Sequence, residues 1–236
     1  MCEQNLFKQT NPQKTNSQIR VYVANLGKYN EGEIVGGWLS LPVTHDEIKA
    51  FLKNQVGLNE QYEEYALHDY ESDFSLGEYE NLYSLNVLAV VLEQMSETEK
   101  NIASAYCSAN GLKDTLSVAN ACMQVNDLSY VELDANDWGS KEEKLGYAIL
   151  EEINSDLKAT LEQCPIGANL TALDYFDFEK YGRDIAINDG YFASNEFFIF
   201  YTSDIDPKLY NIQEIVDQLN DPRLSETAID GSALKK

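Results

Sequence analysis

Glu60-Gln-Tyr-Glu-Glu-Tyr-Ala-Leu-His-Asp-Tyr-Glu-Ser-Asp-Phe-Ser-Leu-Gly-Glu-Tyr-Glu80 is the stretch around which the rest of the chain is read. It carries the carboxylates of Glu60, Glu63, Glu64, Asp69, Glu71, Asp73, Glu78 and Glu80, with Tyr62, Tyr65, Tyr70, Phe74 and Tyr79 threaded among them. It is the centre of a longer run, Asn54 to Glu99, that holds no Lys or Arg. An acidic segment that stays unfolded lacks aromatics, because it has no surface to bury. Here each acid has an apolar neighbour able to pin it to a folded body. The reading is an acidic, aromatic loop whose charges are held in place.

The whole chain continues that bias. Forty acidic residues oppose 17 basic ones, a formal net charge of −23 over 236 residues. Like charge at that density costs stability through self-repulsion. It argues against binding nucleic acid directly, since that anion needs Lys or Arg. An anionic membrane surface is disfavoured in the same way. The partner expected is a basic surface. Duplex DNA carries about one charge per 1.7 Å of axis, so this net charge equals that of about 40 Å of duplex, roughly 12 base pairs.

Cys2, Cys107, Cys122 and Cys164 lie far apart with no CxxC spacing, which reads as reduced, mostly buried thiols. No apolar run suggests a signal peptide or a membrane span, so the expected location is cytoplasmic.

Taken in order, residues 1–18 are polar and read as a disordered tail. Ile19 to Ala24 alternates and is β-branched, a strand. Gly27 and Gly32 bracket a turn, and Ile34 to Leu41, with Trp38, supplies the hairpin partner. Thr44-His-Asp-Glu47 is a capping box that opens a short helix. Leu82, Leu85, Leu88, Ala89, Leu92 and Met95 fall at helical spacing, and Ser96-Glu-Thr-Glu99 caps a second helix that Gly111 stops. A third runs from about Asp114 to Met123. Leu128 to Leu133 reads as a strand, Ser140-Lys-Glu-Glu143 caps another helix, and Tyr175 to Ile187 forms the next. Tyr191 to Tyr201 reads as a hairpin. One amphipathic helix follows Pro207, and Pro222 to Lys236 looks loose. The fold class expected is α+β: small domains in an elongated chain, with antiparallel sheets, packed helices and a helical middle. The divisions are 1–18 (tail), 19–80 (α+β with the acidic loop), 81–126 (helical), 127–206 (α+β) and 207–236 (helix and tail).

No catalytic, cofactor or metal signature stands out. His45, at a helix start, and His68, in the acidic loop, are 23 residues apart and read as surface residues rather than zinc ligands. Asp134 to Gly139 fails as a calcium loop, because Trp138 and Leu145 stand where ligands belong. Paired carboxylates for glycoside hydrolysis remain an alternative, although such an enzyme gathers its acids in one cleft. Glu47, Glu99 and Glu143 read as capping partners, and Glu179 with Arg183 as a local ion pair. Trp38, Tyr175, Phe178 and Tyr181 read as core.

Val21-Tyr-Val-Ala-Asn-Leu-Gly-Lys-Tyr-Asn30 followed by Gly37-Trp38-Leu39, and Tyr175-Phe-Asp-Phe-Glu-Lys-Tyr-Gly-Arg-Asp184 followed by Ile185 to Tyr191, resemble the opening and closing signatures of the ArdA-type antirestriction proteins. Tyr22, Tyr29, Asn30, Gly37, Trp38, Tyr175, Asp177, Arg183 and Asp184 carry the resemblance, with weaker support from Leu145-Gly-Tyr-Ala148 and His68 to Glu71. It covers about residues 19 to 202. It implies a non-enzymatic, homodimeric, three-domain DNA mimic, carried by mobile elements, that fills the DNA groove of type I restriction–modification enzymes and needs no cofactor. The mimic charges expected are the acids of the Glu60–Glu80 loop together with Asp127, Glu132, Asp134 and Asp137. Alternative partners are another DNA-binding defence nuclease, such as a CRISPR effector, or a basic protein bound without DNA mimicry.

Overall fold

The computed structural model describes residues 18–132, 139–188, 192–193, 198–200 and 205–224. The tail short of Gln18, the acids Asp134 and Asp137, and the end past Leu224 lie outside the described residues.

Strand β1, Ile19–Asn25, buries Ile19, Val21 and Val23 and turns Arg20 and Tyr22 outward. Between Gly27 and Gly32, where a turn is expected, stands the short helix α1, Leu26–Asn30, because the Asn25 side chain accepts from Lys28 N–H and starts it. β2, Gly36–Leu41, pairs antiparallel with β1, and α2, His45–Asn54, opens on the complete Thr44/Glu47 capping box. The box holds the Glu47 carboxyl below its usual range, chiefly through the Thr44 backbone N–H.

The acidic stretch is not a loop throughout. Tyr65–Glu71 is β3, antiparallel to β1 at the edge of the sheet ordered β2-β1-β3. His68 therefore sits in a strand, at the bulge that shifts the register between Tyr22 and Val23. Charge on an exposed edge strand hides its periodicity in the sequence and discourages pairing with other chains.

α3, Leu82–Gln94, buries residues on every side, from Leu82 and Leu85 through Leu92. α4, Glu97–Asn110, begins at the complete Ser96/Glu99 box and ends at Gly111, whose φ of 65° is the left-handed cap that glycine favours. α5 is Thr115–Met123, and β4 is Tyr130–Glu132. α6, Lys141–Glu152, has only half of the expected box: Ser140 accepts from Glu143 N–H, without the reciprocal bond. α7 (Ser155–Glu162) and the hairpin of β5 (Pro165–Gly167) and β6 (Leu170–Thr171) have no counterpart in the sequence reading. α8 starts at Phe178, three residues later than expected, and runs to Asn188. The preceding Ala172–Tyr175 forms a tighter turn, capped by Asp174 on Thr171. β7, Phe192–Ala193, and β8, Phe198–Phe200, pair as the expected hairpin, and β4 adds to β8. Last comes α9, Ile212–Leu219.

The architecture is the expected α+β, with small antiparallel sheets and packed helices. One hydrophobic cluster runs from β1 through α5 and takes in Ile215 and Leu224. The end is thus packed, not loose, at least to Leu224. Three buried amides stitch this body together. Asn86 bonds both N–H and C=O of Val43, each at 2.8 Å. Asn120 does the same for Tyr210, and Gln124 for Asp206. Leu145 and Ile149 form a second, much smaller cluster with residues of α8.

Burial pushes the Cys107 thiol up to about 12 and Cys122 well above the ordinary thiol value, while Cys164 is exposed. In a Cys2→Ser variant, a thiol reagent at neutral pH should therefore modify one equivalent in the native state, at Cys164. Rapid modification of two or three would mean that the α4–α5 packing opens freely.

Candidate acidic interface

Anchors fix the acidic stretch at short intervals. Asn59 accepts from the backbone N–H groups of Gln61 and Tyr62, which bends the chain at Glu60. The Tyr62 hydroxyl donates to Glu31 at 2.9 Å, tying the Glu63–Glu64 corner to the end of α1. Strand pairing fixes Asp69 and Glu71. The Tyr65 hydroxyl accepts from Leu82 N–H, and burial pushes its pKa up, so it stays neutral. Phe74 and Leu76 are buried, and the Ser104 hydroxyl donates to the Asp73 carbonyl at 2.6 Å. Glu78 closes the segment, its carbonyl accepting from Leu67 N–H.

The carboxylates divide into two sorts. Glu60, Glu63, Glu64, Asp69, Asp73 and Glu78 are exposed, and among the described residues none has a cationic partner. Glu71 instead meets Arg20 across the sheet through both carboxylate oxygens, at 3.1 and 3.2 Å. Glu80 is half-buried and accepts from the hydroxyl and backbone N–H of Thr115 at the start of α5. Asp127 and Glu132 are exposed further along the chain.

Several nearby cations are already engaged. Lys28 contacts Glu31 and Glu33 at 3.1 and 3.4 Å, and its bonds to Tyr62 and Glu31 raise its pKa. Lys100 is buried against Glu97, and Arg223 bridges Glu93 and Asp221, each at 2.7 Å. These six exposed carboxylates thus sit on an anchored backbone and, among the described residues, without an ion pair.

Trp38 and Tyr175, expected in the core, are 37% and 66% exposed. Trp38 lies on the outward face of the sheet, edge-on to Tyr22 and beneath the Arg20 guanidinium, 4.5 Å from its ring. Tyr29, also exposed, meets His68 edge-on at 4.7 Å in a cleft of about 530 Å³ that Asp69 and Glu78 also line. Asn30 ends α1, and Gly37 lies in β2 against Phe51. Phe178 stacks on Tyr147, and Tyr181 is half-buried. Asp177 caps the start of α8, Arg183 lies 3.9 Å from Glu179 as the local pair expected, and Asp184 is exposed.

Gly146 of α6 and Gly182 of α8 fall within the stretches quoted for the resemblance, where they are given no packing role of their own, and they bring those helices together backbone to backbone. The available signal was a glycine inside each helical pattern, at about 1 kcal/mol relative to alanine. Among the described residues no group of His, Cys, Asp and Glu is arranged to hold a metal ion, and no helix is long and apolar enough to cross a membrane.

A family model described as antirestriction protein (ArdA) matches residues 21–199, from β1 to β8. No curated protein matches the chain. The packed segment 205–224 lies beyond the matched region.

Proposed function

The chain belongs to the ArdA antirestriction family, and we propose that it blocks type I restriction–modification enzymes in the host cytoplasm by mimicking duplex DNA. The carrying observation is the set of six exposed carboxylates, Glu60, Glu63, Glu64, Asp69, Asp73 and Glu78, held on an anchored backbone and, among the described residues, without cationic partners. A groove that binds DNA presents Lys and Arg to phosphates, and fixed carboxylates satisfy the same groups. Because the surface offers no base edges, inhibition is independent of a recognition sequence. Anchoring also lowers the ordering cost of association. No catalytic step is involved. In a homodimer the matched length of duplex doubles.

A competition assay between this protein and a labelled duplex for a type I enzyme, repeated across salt concentrations, tests the proposal. Stoichiometric displacement that weakens as salt rises is the expected result. Neutralising one of the six acids should change potency no more than about threefold, since single exposed pairs contribute little. Neutralising Glu60, Glu63, Glu64, Asp69 and Glu78 together should weaken it about 70-fold, at about 0.5 kcal/mol each. If the duplex stays bound at low salt and excess protein, the mimic reading fails.

A further inference from the structure

The fold twice closes an aromatic ring and a carboxylate around a cation. Lys28 Nζ lies 4.5 Å from the centre of the Tyr62 ring and 3.1 Å from Glu31. The Arg20 guanidinium lies 4.5 Å from the centre of the Trp38 ring and 3.1 Å from Glu71. A third such set surrounds the cleft beside β3. Tyr29, His68 and Tyr70, the acids Asp69 and Glu78, and buried Leu67 are among the residues that line it, with Tyr29 edge-on to His68. Among the described residues no Lys or Arg lines it. Tyr29 is 52% exposed, Tyr70 is 37% exposed, and the cleft volume of about 530 Å³ exceeds what one side chain needs.

We propose that this cleft receives an arginine side chain of the basic partner, its guanidinium against the tyrosine rings and its charge between Asp69 and Glu78. The partner's identity rests on the mimic reading; the chemistry of the cleft does not. Two carboxylates alone would hold a hydrated cation loosely. Aromatic faces select a weakly hydrated, planar one, and arginine fills this role more often than lysine. The surface then does more than imitate a row of phosphates. At one point it recognises a side chain that duplex DNA meets only through its phosphates and base edges.

The test uses the full-length protein and two readouts. In NMR titrations at constant ionic strength, N-acetyl-arginine amide should shift Leu67 methyl and Tyr29 ring signals saturably, N-acetyl-lysine amide more weakly, and N-acetyl-norleucine amide not at all. In the duplex competition, Tyr29→Leu should raise the half-displacing concentration about fivefold, within the range of cation–π contacts, without changing the salt slope. Glu78→Gln should make that slope shallower. Tyr70→Leu serves as a second variant should Tyr29→Leu alter the melting temperature. No saturable arginine shift, or wild-type potency in both tyrosine variants, overturns the proposal. So does a Lys8→Gln/Lys14→Gln double variant whose unliganded spectrum already differs at these signals, because the chain's own N-terminal segment would then be the occupant. Failure of the wild-type protein to displace DNA removes the mimic reading instead, and leaves the amide titration to decide on the cleft.

Discussion

Gly182→Val should separate α8 from α6 and unfold the unit they form. A Cβ at Gly182 would overlap the Glu142 carbonyl oxygen and lie 2.7 Å from Gly146 N. A Cβ at Gly146 would press in turn on the Phe178 carbonyl. Both obstacles are backbone, so neither can rotate aside, and the helices must part. Only Leu145 and Ile149 are buried in their cluster, with Ala148, Tyr181, Ile185 and Ala186 half-buried around them. Overpacking usually costs about 1–3 kcal/mol. Here the cost falls on a cluster too small to absorb it, so loss of about 3 kcal/mol or more is expected. Amide exchange should show protection disappearing from α6 and α8 while α3 and β1 keep theirs. Gly37→Ala is the control, because its new methyl would rest 3.5 Å from the Phe51 ring in ordinary contact. Wild-type protection in Gly182→Val would mean that the helices do not meet through these glycines.

The second large effect lies beyond the region matched by the family. Ile215 is fully buried, and Ile215→Asp would place an unpaired carboxylate against α3. Burial of an uncompensated charge costs several kcal/mol, so α9 should detach. Its departure leaves the paired bonds of Asn120 to Tyr210 and of Gln124 to Asp206 without support. The expected outcome is a loss of about 3–5 kcal/mol, with new proteolysis between residues 205 and 211 and weaker exchange protection in α3 and α5. Unchanged protection in α3 and α5, with α9 released, would show instead that the segment is an ornament on a body stable without it. Asn120→Leu should lower stability less, by about 1–3 kcal/mol, since it orphans one buried donor and one acceptor.

Much of this body is legible from local signals. The Thr44/Glu47 and Ser96/Glu99 boxes, the left-handed Gly111 and the spacing of Leu82 to Leu92 are each complete within a few residues. β3 escapes notice because five of its seven residues are polar or aromatic and only Ala66 and Leu67 are buried. Trp38 and Tyr175 mislead for another reason: a large ring suggests core, yet Trp38 gains its contacts from Arg20 and Tyr22 on the outer face of a three-stranded sheet. The acidic surface is visible as a run without bases. Which of its charges remain free is not visible, because Glu71 is matched with Arg20 from 51 positions away and Glu80 with Thr115 from 35. Pairing over such distances depends on the sheet and on helix packing, neither of which local composition encodes.

α3 buries residues on every side, and a helix that covers part of it, α9, follows far down the chain. At about 5–20 residues per second, the chain between them takes roughly 6–25 seconds to synthesise. Throughout that interval a growing chain carries a bare strip of Leu and Val on the ribosome. The order of elements along the gene therefore makes the time between their emergence part of how this protein reaches its folded form.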